Sequence, residues 1–143
     1  MPPSWIIFEE LSFGTLSHVF EYIRNCHKAE ICRYFDLAAP VFVSWLRGLT
    51  KLRNRCAHHN RIWNYTYSAV RLPNNLQKTE NNHNIFEGIA IYDPKKIQIL
   101  IYIISYMLRK ISHDDQWIKE ILAHLETCPI PYQHPMGFQN PEI

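Results

Sequence analysis

Apolar positions along the chain recur at three- and four-residue spacing, the period of helices that bury one face. After an entry segment carrying Trp5, Ile6, Ile7 and Phe8, the residues Phe13, Leu16, Val19, Phe20 and Ile23 form the first such stripe. Ser12 stands where an N-cap belongs, and the pattern predicts a helix to about Asn25. A shorter helical pattern over Lys28 to Leu37 places Ile31, Tyr34 and Phe35 on one face. Pro40 then occupies a first-turn position that tolerates a missing N–H, opening a helix whose stripe is Phe42, Val43, Trp45, Leu46, Leu49 and Leu52. Asp93-Pro94 predicts another helix start, running to about Ser112 and apolar on nearly all sides, hence central. Asp114 and Asp115 open a last helix with Trp117, Ile118, Ile121, Leu122 and Leu125 as its buried face, the acidic residues suiting the positive end of the helix.

Between these helices the period is lost. Tyr65 to Asn84 contains Pro73-Asn74-Asn75 and Asn81-Asn82-His83-Asn84, a composition that predicts a long surface loop. Ile85 to Ile91 fits a short strand and a helical turn equally well. Pro129, Pro131 and Pro135 predict an extended, proline-rich tail over residues 127–143. No other stretch shows strand alternation, and there is no internal repeat. The expectation is all-α: a compact bundle of four to five helices with one long loop, residues 1–143 forming a single domain.

Composition changes this picture little. In 143 residues, 47% apolar and 13% aromatic content argues against disorder, and four glycines leave little room for a glycine-rich phosphate loop. Cys26, Cys32, Cys56 and Cys128 are scattered without a CxxC pair, and Met1-Pro2-Pro3-Ser4-Trp5 lacks the pattern of a secretion signal. Both point to a reducing cytoplasm. Ile97 to Leu108 is shorter than the roughly 20 residues a bilayer requires, so no membrane association is expected.

Charge changes it more. Net charge is only +2, yet Leu37 to Thr79 holds seven basic residues (Arg47, Lys51, Arg53, Arg55, Arg61, Arg71 and Lys78) and no acidic one. All the positive excess lies in that segment, which points to a polyanionic partner, with RNA or DNA first. Its densest part, Leu52 to Asn64, packs three arginines, two adjacent histidines and three asparagines into thirteen residues. The apolar stripe of the preceding helix runs into it, with Arg53 on nearly the side of Leu46 and Leu49, so that side is expected to begin in the core and end in a cleft.

Arg53 and His58 form R-x4-H. An arginine presents a fixed fork of donors that suits phosphate oxygens, and a histidine titrates near neutrality and can take or return a proton. Cleaving RNA calls for these functions: a base for the ribose 2′-OH, an acid for the leaving 5′ oxygen, and positive charge at the phosphorus. The nucleophile is already in the substrate, so no metal and no cofactor is needed. Residues five apart on a straight helix point about 140° from each other. The pair can share a cleft only if the helix bends or ends between them, if the arginine reaches around, or if two copies of the chain pool their residues.

The run RNRCAHHNRIWN, preceded by SWLRGLTKL, closely resembles the signature of the Abi-like family, bacterial proteins related to phage abortive infection. ELSFGTLS and ETCPIPYQHPMGF also resemble family segments, so the likeness covers most of the chain. R-N-x-x-x-H is in turn the motif of HEPN domains, all-α modules that often act as metal-independent ribonucleases and dimerise to build a composite site. The resemblance implies a HEPN-like domain with Arg53 and His58 as the catalytic pair and Asn54 as an orienting group. Arg47, Lys51, Arg55, His59, Arg61 and Asn64 are then expected to support RNA binding. It also implies a homodimer and an antitoxin or inhibitory partner that restrains the nuclease. Abi-like proteins are expected to be about twice this length, so the chain corresponds to their C-terminal part.

Other readings of the same residues stand beside this one. Cations at a helix C-terminus complement its dipole without further role. Cys56, His58 and His59, with Cys26-His27 or Cys32, match no standard zinc spacing, and Cys56 continues the apolar side of its helix as a buried free cysteine would. Trp63 is expected to anchor the returning chain; Tyr65 and Tyr67 could stack bases or pack. His18, His27, His83, His113, His124 and His134 read as surface residues. Ser17, Ser44 and Ser105 have no nucleophile-elbow context. Two other functions fit the same residues: a non-catalytic RNA-binding or regulatory module, and an interaction domain whose motif organises a dimer interface.

Overall fold

A computed structural model describes residues 3–73, 93–113 and 115–138. They hold seven α-helices and no strand: α1 (Ser4–Glu10), α2 (Phe13–Tyr22), α3 (Asn25–Tyr34), α4 (Ala39–Ala57), α5 (Ile97–Ser112), α6 (Gln116–Glu126) and the short α7 (Ile130–Gln133), which a 3-10 turn at His134–Met136 extends. The all-α bundle read from the sequence is what forms. The loop and strand-or-turn readings over residues 74–91 lie outside the described residues.

Local chemistry sets the helix ends. The Ser12 hydroxyl accepts from the Thr15 N–H at 3.1 Å, capping α2 as expected. Pro40 sits in the first turn of α4. α2 ends at Tyr22 and α3 begins at Asn25, each about three residues earlier than the apolar spacing predicts. α5 begins later than expected, at Ile97. Asp93 does not cap it; the carboxylate accepts from the Lys95 N–H at 2.9 Å and holds a turn ahead of the helix. Within the segment expected to be an extended tail, residues 130–136 are coiled into α7 and its 3-10 turn, and residues 139–143 lie outside the described residues. Gly137, at φ +98°, lets α7 and its 3-10 turn fold back so closely that a Cβ there would lie 2.9 Å from Lys96 Cβ. Phe138 then meets Tyr102 edge-on, at 6.2 Å between ring centres.

α4 packs against α2, α3 and α5, and α5 packs against α6. Phe42 joins Phe20 and Phe35 at 4.9 and 5.0 Å. α5 is the central helix: Ile99, Leu100 and Ile103 are fully buried, and burial pushes the Tyr102 phenol up to about 12. Tyr106 on α5 donates to the Phe35 carbonyl at 2.7 Å, and Lys110 forms an ion pair with Asp36, joining the C-terminal ends of α3 and α5.

The chain returning from α4 is less of a surface loop than its composition predicts. Tyr67 and Val70 are core residues. The Tyr67 N–H donates to the Lys95 carbonyl at 2.7 Å. The Arg71 N–H donates to the Ser44 hydroxyl at 2.7 Å, and the Trp45 indole N–H donates to the Arg71 carbonyl at 2.9 Å. Both backbone groups of Arg71 are thus held by adjacent side chains of α4. Gly48 makes the crossing possible: a Cβ there would lie 3.0 Å from both Val70 Cγ1 and Leu100 Cδ2.

Gly48→Ala should therefore destabilise the fold. Ala gains about 1 kcal/mol of helix propensity over glycine, but crowding two buried side chains costs about 1–3 kcal/mol. Chemical denaturation should give a lower midpoint, with Gly48→Val worse than Gly48→Ala; a stabilised Gly48→Ala protein would mean that the segment is not pressed against α4.

Candidate functional site

α4 is apolar on one side along Val41, Phe42, Trp45, Leu46, Leu49 and Leu52, all buried. Burial stops there. Arg53 and Cys56 continue the same side by register, yet both are exposed. The last turn of α4 extends past the core, so Cys56 is not the buried cysteine that its spacing predicts, and Arg53 is not delivered into a cleft. Cys32 is buried, Cys26 is exposed, and no cluster of metal-binding side chains occurs among the described residues.

The helix ends at Ala57, and His58 is its C-cap at φ −97° and ψ 16°. The His58 N–H still donates to the Asn54 carbonyl at 3.1 Å, so His58 keeps its helical place. A break between Arg53 and His58, one of the three ways in which the pair could share a cleft, is therefore absent: the helix ends at the histidine, not before it. The angle of about 140° between the two residues persists.

His59 adopts φ +52°, in the left-handed region. Its N–H donates to the Cys56 carbonyl at 3.1 Å, and the Asn60 N–H to the Arg55 carbonyl at 2.9 Å. These are the two reversed bonds of a Schellman cap, with a histidine where glycine usually stands. Arg55 secures the chain beyond the cap. Its guanidinium donates to the Arg61 carbonyl from Nε at 3.1 Å and from Nη2 at 2.5 Å, and stacks 3.6 Å from the centre of the Tyr65 ring. Tyr65 meets Tyr67 edge-on at 4.9 Å, and Trp63 meets Tyr132 of α7 at 5.9 Å, anchoring the chain as expected. Two Arg55 donors are thus committed to the turn.

Arg53, Asn54, His58, His59, Arg61 and Asn64 are all exposed around this helix end. The ion pairs among the described residues lie elsewhere: Arg47–Glu21, Arg109–Asp115 and Lys110–Asp36. The positive end of the motif segment is therefore not neutralised by them. Arg47 is; its Nε and Nη2 each donate to one Glu21 carboxylate oxygen at 2.7 Å, which holds the Glu21 carboxyl below its usual range.

The cavity beside α4 lies on its other side. About 790 Å³ opens between the start of α3, the polar face of α4 and the returning segment. Lys28, Arg47, Lys51 and Arg71 supply its charge, and Ser44, Gly48 and Tyr67 part of its wall. It gathers Arg47 and Lys51 but not Arg53, Asn54 or His58. Lys28 carried no functional signal in the sequence, Ser44 lacked the context of a nucleophile, and Tyr67 was open between stacking bases and packing. Lys28 stands on a different helix, and Ser44 and Tyr67 acquire their places only when the segment crosses α4.

Residues 1–64 match the family model described as Abi-like protein. The match supports a relation to the Abi-like family and ends at Asn64, so it takes in α1 to α4 and the whole motif. Comparison with curated proteins and with solved structures gives no match. No described helix is long and apolar enough to cross a membrane.

The cap makes a direct prediction. A left-handed conformation costs a residue with a Cβ about 1 kcal/mol relative to glycine, so His59→Gly should raise the melting temperature by about 3 °C. A lower melting temperature would show that the His59 side chain contributes contacts that outweigh its backbone strain.

Proposed function

We propose that the chain is a metal-independent endoribonuclease of the HEPN type, acting in phage defence. What supports the reading most is one arrangement: Arg53, Asn54 and His58 stand exposed on the last turn of α4, away from the described ion pairs, within the segment that matches the Abi-like model.

The reaction is a transesterification. A histidine removes the proton of the ribose 2′-OH, and the 2′ oxygen attacks the adjacent phosphorus. The bond to the 5′ oxygen breaks, and an acid returns a proton to that oxygen. The products are a 2′,3′-cyclic phosphate and a 5′-hydroxyl. Arg53 carries charge for the phosphorane, and Asn54 orients the phosphate or the imidazole. One chain offers one His58, with Arg53 turned about 140° from it. Two copies in a homodimer would set the Arg53 of one beside the His58 of the other, making two composite sites in each of which one imidazole takes the proton and then returns it.

The basic cavity favours a second reading, an RNA-binding module without chemistry, and one assay separates the two. Incubated with single-stranded RNA in EDTA, the wild-type protein should yield fragments ending in cyclic phosphate. His58→Ala should slow this by about 10²-fold or more, and Arg53→Ala by a similar factor, with melting temperatures unchanged because both side chains lie in solvent. A folded His58→Ala protein that cleaves at the wild-type rate would refute the assignment.

A further inference from the structure

The polar face of α4 joins the basic cavity to the motif. At 100° per residue, Arg47, Lys51, Asn54 and His58 fall within an arc of about 60°, and Lys51 and His58 are only about 20° apart. The rise of the helix spaces Lys51 about 10 Å and Arg47 about 16 Å from His58. Arg53 is on the other side. Of the α4 residues that line the cavity, Pro40, Ser44, Arg47 and Lys51 are on this same polar face, while Val43 and Gly48 lie against core side chains. By helix register the cavity and His58 thus share one side of α4, with Lys51 the lining residue of that helix nearest to the motif.

The charge of the cavity is one-sided. Lys28, Arg47, Lys51 and Arg71 line it, and one carboxylate, Glu21, lies against Arg47. Lys28 Nζ donates to the Glu21 carbonyl at 2.9 Å. Lys51 and Arg71 are exposed and have no carboxylate partner among the described ion pairs. Residue 71 is also fixed in place, both its backbone groups being bonded to Ser44 and Trp45. The far wall of the cavity therefore carries a cation whose backbone is held in place while its side chain reaches solvent. The Tyr67 hydroxyl in the same wall is buried without a hydrogen-bond partner.

We infer that this cavity is a binding track for the phosphate backbone of single-stranded RNA, holding the strand on Lys51 and Arg71 several residues of helix away from His58. The inference rests on the reading of the chain as a protein that acts on RNA, and it assigns Arg71 and Lys28 to that role. A strand suits the site better than a compact anion because Lys51 and Arg71 face each other across the cavity while His58 lies about 10 Å farther along the same side of α4. Contacts of this kind position a strand without reading its sequence.

The test is a binding titration with a fluorescent 2′-O-methyl RNA 12-mer, which lacks the nucleophile and so reports binding whether or not the protein cleaves. Each phosphate contact to a single strand contributes about 0.7 to the slope of log K against log salt. Lys51→Gln and Arg71→Gln should each flatten that slope by about 0.7, and the double variant by about 1.4, while Lys119→Gln on the exposed side of α6 leaves it unchanged. A mononucleotide and a glutamate-rich peptide should compete poorly. Unchanged slopes in folded Lys51 and Arg71 variants, absence of strand binding, or competition by either small anion or peptide at the strength of the 12-mer would overturn the track. Those outcomes leave the nuclease assignment to its own assay, and cleavage that survives His58→Ala leaves the track standing.

Discussion

Ser44 and Trp45 hold the backbone N–H and carbonyl of Arg71, and Gly48 leaves room for the segment they hold. Much of the molecule depends on that crossing. It closes the core over α4 with Tyr67 and Val70 and ties the chain to the start of α5 through Lys95. It also turns one side of α4 from an open helix face into a cavity wall. The interaction is strong for its size. The bond to Ser44 is exposed, so most of the hold comes from Trp45: its indole is almost fully buried, and an unsatisfied N–H there costs about 1–3 kcal/mol.

α4 consequently serves two environments. Its apolar side is core as far as Leu52 and then leaves it, which puts Arg53 into solvent one residue after the last buried leucine. Its polar side lines the cavity through Lys51 and reaches His58 at the cap. The turn after the helix is fixed by a strained residue, His59, and by the Arg55 guanidinium spanning to the Arg61 carbonyl. The motif therefore sits at a rigid helix end. Arg53 and His58 face different directions from that end, a geometry that favours pooling of residues between two copies over a site within one chain.

The helices were largely legible in the sequence because their signals are local. Ser12 as a cap, Pro40 in a first turn and the stripe from Phe42 to Leu52 each depend on neighbours within a few residues. Arg53 and Cys56 were misplaced by the same period that located the helix, since register tells which side a residue is on and not where the packing partner ends. The proline-rich segment coils because Gly137 permits a positive φ that lets it dock on α5, a tertiary fact without a local signature. The cavity was the least legible feature. Lys28, Ser44, Tyr67 and Arg71 come together only through the crossing at Gly48, and no spacing announces it. The exposed cluster at the end of α4, by contrast, was visible as density of charge alone.

The proposal that catalysis needs two copies of the chain is tested most directly by mixing two inactive ones. Arg53→Ala and His58→Ala proteins, unfolded and refolded together in equal amounts, should form heterodimers in which one composite site keeps an intact Arg53 and an intact His58. RNA cleavage in EDTA should then return to about a quarter of the wild-type rate, half the dimers being mixed and each carrying one of two sites. A mixture as inactive as either variant alone, or a wild-type rate per chain that stays constant on dilution to a demonstrated monomer, would contradict the shared site.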